Sequence, residues 1–105
     1  MISAPDFFRD AVLLSRLALE ARLPTVCEWA SMAYDGCLIG YGPNFAALWR
    51  RTADYVARIL RGEKPGELPI EQPPLFEFAV NLKTAKALGL TISEASLMRA
   101  DGVIE

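Results

Sequence analysis

Apolar residues recur along the first stretch of the chain with a helical period. Phe7, Ala11, Leu14, Ala18 and Ala21 fall at i, i+4, i+7, i+11 and i+14, one face of a 3.6-residue repeat. The pattern predicts a helix over Asp6–Arg22, opened by Pro5 and Asp6 and closed ahead of Pro24. Phe8, Val12 and Leu19 widen the stripe, and Leu13 and Leu17 sit near its opposite side. So broad an apolar surface predicts a helix covered on more than one side. Leu23 to Trp29 (LPTVCEW) is short, β-branched and bounded by Pro, which predicts a strand. Ala30 to Tyr34 reads as one helical turn, stopped by Asp35-Gly36, and Cys37 to Tyr41 as a second short strand.

Gly42-Pro43-Asn44 then makes a turn and a helix start. Phe45 to Arg61 is a long amphipathic helix with Phe45, Leu48, Trp49, Thr52, Val56, Ile59 and Leu60 on its apolar side, and Gly62 is placed to cap it. Residues 63–74 hold four prolines within KPGELPIEQPP, the pattern of an extended connector. LFEFAVN over Leu75–Asn81 predicts a strand, Leu82 to Leu88 a short helix ended by Gly89, and Thr91 to Asp101 a last helix capped by Ser93. Strands alternating with helices predict one α/β unit over residues 1–105, a partial Rossmann-like three-layer sandwich on a short, mainly parallel sheet. Helix, tight loop, strand is half of a parallel βαβ unit. The other half is expected at Ile2-Ser3-Ala4, as the end of a strand, so the chain reads as starting inside a repeating unit.

Composition narrows the chemistry. The chain of 105 residues carries 11 Lys and Arg, 13 Asp and Glu, a net charge of −2 and no His. That balance gives no nucleic-acid footprint. The lack of His removes His-based acid–base catalysis, Ser–His and Cys–His nucleophiles and His-ligated zinc. No catalytic residue, metal or cofactor is therefore expected. Cys27 and Cys37 lie ten apart with no CxxC spacing. They read as two small buried hydrophobes, or as a disulfide if the chain folds in an oxidising compartment and their Cα atoms approach within about 7 Å. The first residues lack a basic segment followed by an apolar one, and no run of about 18 apolar residues occurs, so neither a leader nor a membrane span is read from the sequence.

Ligands of open α/β sheets bind beyond the carboxyl ends of the strands. Glu28 and Trp29 stand at one such end, a carboxylate beside an aromatic wall or, in the blander reading, an exposed loop acid beside a packed Trp. Tyr41-Gly42 stand at another, where Gly42 permits a sharp turn and Tyr41 offers a flat face and a hydroxyl. The glycines match neither GxGxxG nor a P-loop, so no nucleotide phosphate site is indicated. Arg50, Arg51, Arg58, Arg61 and Lys64 form the one basic concentration and read as a solvated helix face, with Asp54 and Arg58 as an i, i+4 pair.

From Tyr41 onward the motifs YGPN, YVARILRGEKPGELP, EQP, FEFAVNLKTAKALGL and RADGVIE resemble the ABC transporter substrate-binding protein family, in its TrpX-like branch. LPTVCEW resembles the strand just upstream, and the likeness runs from about Ser3 to the end. Ser93-Glu94 and Gly102 depart from the family pattern, which tends to a Pro-Pro pair and an acidic residue there. The resemblance implies a type I periplasmic binding protein fold, two α/β lobes closing on a small molecule, of which this chain corresponds to the C-terminal third. It implies a non-catalytic solute-binding component of an importer, periplasmic in the full-length protein, with an ABC permease as partner and an amino acid or aromatic compound as ligand. The implied contacts are loops after strands: Ser3 to Asp6, Glu28-Trp29 and Tyr41-Gly42. The broad apolar helix and short sheet together predict a homodimer, and a dimerising interaction domain without ligand is the alternative reading.

Overall fold

The structure, a computed structural model, describes residues 5–73 and 75–105. Ser3 and the strand end expected at Ile2–Ala4 lie outside the described residues. The predicted first helix divides at Asp10, whose φ of −99° and ψ of 19° leave the helical region, into α1 (Pro5–Arg9) and α2 (Ala11–Glu20). β1 (Val26–Cys27) follows, then the single turn α3 (Ser31–Tyr34), β2 (Ile39–Pro43) and α4 (Phe45–Leu60). After the proline-rich connector come β3 (Phe76–Asn81), α5 (Leu82–Leu88), α6 (Glu94–Arg99) and β4 (Gly102–Ile104). β4 is a correction to the sequence reading, which ended the chain in a helix. Ala100 is extended, so α6 stops there and GVI pairs instead.

The four strands form one open sheet in the order β1-β2-β3-β4. Two of its three pairings are parallel, β1 with β2 and β3 with β4, as a mixed α/β fold requires. The central pairing of β2 with β3 is antiparallel over five residue pairs, from Ile39↔Val80 to Pro43↔Phe76. β1 and β2 therefore end at the same edge where β3 and β4 begin.

The core is built in two parts that meet at α3. Met32 joins Ala11, Cys27 and Cys37 beneath α2, with Trp29 packed against the group. Ala33 joins Ala30 and Ala79, with Ile104 alongside. Small residues in α3 bring it close to the sheet, and buried polar groups lock it there. Asn81, 5% exposed, donates Nδ2 to the Ala33 carbonyl at 2.8 Å, and Thr84 donates its hydroxyl to the Gly36 carbonyl at 2.9 Å. Gly40 and Gly42 let the Glu28–Ala30 backbone lie directly on β2. A Cβ on Gly40 would sit 2.8 Å from the Ala30 Cα, and one on Gly42 would overlap the Glu28 carbonyl. Cys27 and Cys37 are both buried and are joined as a disulfide, with Cα atoms 6.4 Å apart. They were expected to be buried, and they are also paired. Closing a loop of this length contributes about 3 kcal/mol in the chain-entropy account.

α4 is built differently. Asn44 caps it by accepting the Ala47 N–H at 2.7 Å, yet none of its 16 residues is buried. Trp49, Val56 and Leu60 of the predicted apolar side are 58%, 51% and 82% exposed. The radius of gyration, 17.0 Å, exceeds the roughly 13 Å of a compact domain of this size, because α4 and the connector stand off the sheet. The connector folds back along α4. Arg51 grips Glu71 through Nε and Nη2, the Nε bond at 2.6 Å, and Tyr55 donates to the Pro69 carbonyl at 2.5 Å. Arg51 and Arg58 lie over the Tyr55 ring, 5.1 and 5.9 Å from its centroid. The basic concentration is thus partly engaged: Asp54 pairs with Arg51 rather than Arg58, and Arg58 pairs with Glu63.

Two outcomes follow from this packing. Gly42→Ala, which forces a methyl into the Glu28 backbone, should lower stability by about 1–3 kcal/mol in urea denaturation. The Arg51 fork holds the Glu71 carboxyl below its ordinary range. A carboxyl depressed on folding stabilises above its unfolded pKa and ceases to do so as pH falls through its folded one. The urea midpoint should therefore drop on acidification below about pH 4, less so in Glu71→Gln, and modestly, because the pair is exposed.

Candidate functional site

The edge where β1 and β2 end and β3 and β4 begin carries a cavity of about 200 Å³. Its lining comes from the turn after β1 (Ala30, Ser31, Tyr34), the start of β3 (Glu77, Phe78, Ala79) and the start of β4 (Asp101, Gly102). Glu77 and Ala79 pair across the ladder with Gly42 and Gly40, so these four positions share one face of the sheet. The glycines leave room for the Glu28–Ala30 backbone on that face, and Ala30 carries it into the cavity wall.

The polar groups at the cavity have one sign. Glu77 accepts a hydrogen bond from Asn44 Nδ2. Asp101 is exchanged both ways with Phe78: its N–H donates to the Phe78 carbonyl at 2.7 Å and its Oδ2 accepts the Phe78 N–H at 2.8 Å. Neither carboxylate is in an ion pair among the described residues, and no Lys or Arg lines the cavity. The Tyr34 ring stands at the Gly102 end, where a Cβ on Gly102 would lie 2.9 Å from its hydroxyl. The floor is apolar, made by Ala30 and Ala79.

Next to it stands an aromatic cluster. Asn44, which holds Glu77, precedes Phe45, and the Phe45 ring meets Trp29 edge-on at 5.2 Å between centroids. Phe45 also meets Trp49 at 5.7 Å and stacks on Phe8 at 6.2 Å. Three of the four rings remain about half exposed: Phe8 44%, Phe45 47% and Trp49 58%. The arrangement offers carboxylates and a phenol on one side and open aromatic surface on the other, a combination that holds a cationic or hydrogen-bond-donating head joined to an apolar body.

The sequence-derived residues separate over this geometry. Glu28 and Trp29 lie on the Gly42 side of β2, half-buried, and Trp29 turns into the aromatic cluster. Tyr41 alternates to the opposite face and stacks on Phe76 at 5.9 Å, so Trp29 and Tyr41 do not bracket one space. Asp6 is exposed on α1, paired with Arg9 at 3.3 Å, and does not line the cavity. Ser3 lies outside the described residues. Glu77, Tyr34 and Asp101 were not singled out in the sequence. Glu77 was readable as the polar position in phase with Ala79 in FEFAVN, whereas Asp101 depended on a strand that no periodicity announces. Among the described residues no group of three acidic or cysteine side chains is placed to hold a metal ion.

The sequence pattern of the family described as ABC transporter substrate binding protein matches residues 8–104, and the chain belongs to that family. It is similar to a conserved domain protein of known structure from Vibrio cholerae, with 30% identity and a TM-score of 0.85 over 92% of this chain and 33% of that one. A second similar structure is an ABC domain in complex with L-Trp from Streptococcus pneumoniae, with 25% identity and a TM-score of 0.77 over 87% of this chain and 32% of that one. A ligand-free, open substrate binding protein with adhesive properties from Clostridium difficile shares the fold, with 22% identity and a TM-score of 0.60 over 93% of this chain and 32% of its own. The chain thus spans about a third of the length of each. Nothing among the curated proteins matches it.

Asn44 serves both α4, through its cap, and Glu77, through its amide. Asn44→Ala should lower stability by about 1 kcal/mol in urea denaturation, the ordinary effect of losing an N-cap.

Proposed function

We propose that this chain supplies part of the ligand cleft of a solute-binding protein that serves an ABC importer, without catalysis, and that the ligand is a small aromatic compound bearing an amino group, an aromatic amino acid in particular. The observation that carries the reading is the cavity at the carboxyl ends of β1 and β2, whose two carboxylates have no cationic partner among the described residues, with Tyr34 in its lining and the Phe45 cluster connected to it through Asn44 and Glu77. Glu77 and Asp101 would take the ammonium group, and Trp29 and Phe45 the ring. Glu28 and Gly42 form the adjoining rim, and Tyr41 a second aromatic surface on the reverse of the sheet. Among the described residues no cation lines the cavity to meet a ligand carboxylate, so that contact would come from a facing lobe. The L-Trp in the Streptococcus structure agrees with this class of ligand.

The same reading gives α4 its role. Its uncovered apolar side is the surface that would dock on the portion of the longer relatives this chain does not span. In the full-length protein an ABC permease would be the further partner, and a periplasmic or extracellular location the setting, which the disulfide favours. No helix among the described residues is long and apolar enough to cross a membrane. The second reading, a homodimer without ligand, rests on the broad apolar first helix and the short sheet, and the same open face of α4 would add to it. A monomeric mass by light scattering at micromolar concentration would remove it.

The binding reading is tested by titrating the isotope-labelled chain with L-tryptophan and following amide shifts. Shifts should cluster at Ala30, Ser31, Glu77 and Gly102. Glu77→Gln should weaken binding about tenfold, the worth of one hydrogen bond to a charged group. Shifts spread evenly over the surface, or an unchanged affinity in the variant, would count against the assignment.

A further inference from the structure

The Cys27–Cys37 disulfide closes the segment that carries one wall of the cavity. Parallel neighbours in a sheet are ordinarily joined by a crossover of a dozen or more residues containing a full helix. Here residues 28–38 make the whole connection from β1 to β2, with only the four-residue α3 inside it. So short a crossover has little interior of its own and depends on its attachments.

Those attachments are unequal. The second half of the crossover is held at several points. Met32 and Ala33 are fully buried, Ala33 accepts from Asn81, and Gly36 accepts from Thr84. The first half, Glu28 to Ser31, carries Trp29 and the Ala30-Ser31 wall of the cavity. Among the described residues it has no side-chain hydrogen bond; its Trp29 and Ala30 carbonyls accept the Met32 and Ala33 N–H groups at 3.0 and 3.1 Å, and it packs closely over Gly40 and Gly42. Its covalent restraint is the bond at Cys27. Beside the sulfurs a void of about 30 Å³ is lined by Ala11, Leu14, Ser15, Thr25 and Met32. Two thiols need more room than one disulfide, and that void lets them separate without expelling α2 or α3.

We propose that the Cys27–Cys37 disulfide is a positioning element of the ligand site: it fixes the Glu28–Ser31 segment over Gly40 and Gly42, and opening it weakens ligand binding while the fold persists. The proposal rests on the reading of the adjoining cavity as a ligand site. Opening the bond takes two electrons and two protons from a thiol reductant, leaves two protein thiols, and turns dithiothreitol into its cyclic disulfide. If the segment then spends about a tenth of its time in place, apparent affinity falls about tenfold.

The test compares the oxidised chain, the chain reduced with dithiothreitol, and the double variant Cys27→Val/Cys37→Ala, which refills the volume of the bond. Circular dichroism reports the fold, calorimetry with L-tryptophan the affinity, and hydrogen exchange the segment. The expected result is a retained fold, an affinity about tenfold weaker and restored on reoxidation, and faster exchange at Trp29–Ser31 with Ala33–Gly36 unchanged. A folded variant with unaltered affinity overturns the proposal. So does loss of the fold in both the reduced chain and the variant, since the bond is then purely structural. If the oxidised chain takes no L-tryptophan, the ligand reading is what fails. The exchange measurement still decides the positioning: equal protection of Trp29–Ser31 with and without the bond overturns it.

Discussion

The antiparallel pairing of β2 with β3 is the constraint on which the rest of the molecule depends. Five residue pairs join two halves that otherwise share little backbone: α1 to β2 on one side, β3 to β4 on the other. Each half contributes one parallel pairing, and neither has strands enough to make a sheet alone. The ladder sets which strand ends share an edge. It also sets the phase that places Gly40, Gly42, Glu77 and Ala79 on one face, and with it the position of α3, since only a face of two glycines and an alanine lets that turn approach so closely. The buried amide of Asn81, at the end of β3, completes the arrangement by holding the Ala33 carbonyl and capping α5 through the Thr84 N–H.

The site inherits its character from that edge. In a wholly parallel sheet every strand would deliver its carboxyl end to the ligand side. Here β3 and β4 deliver their starts, so Glu77 and Asp101 arrive beside the loop that leaves β1. Asp101 is tied to Phe78 in both directions and Glu77 is tied to Asn44, so each carboxylate is held in a set orientation, as the proposed ligand site would need. A group already held in place loses little freedom when it binds. The aromatic side is more open, because Phe45 belongs to α4, none of whose residues is buried.

Much of this was legible in the sequence, for identifiable reasons. α4, α5 and the connector follow from local rules: a strong helical stripe, Asn44 and Gly89 at helix ends, prolines where a helix is impossible. The strand after the connector was legible from its β-branched and aromatic content, and the family from NLKTAKALGL. Three things were not. The division at Asp10 interrupts a periodicity that runs on across it. β4 is three residues long and exists because β3 offers it an edge, a non-local cause. Tyr41 and Gly42 are adjacent in sequence and were read as one site, but neighbours in a strand point to opposite faces. Their separation follows from a register that only the partner strand defines.

β1 brings one more consequence, for how copies of this chain behave at high concentration. It is an edge strand, and among the described residues its outer side has no partner, with Val26 59% exposed. An open edge is a template on which a foreign strand can add. This one is only two residues long, and Pro24 stands just ahead of it with no N–H to donate. An incoming strand finds too few bonds to hold, so the shortness of β1 guards the molecule against growing into a stack.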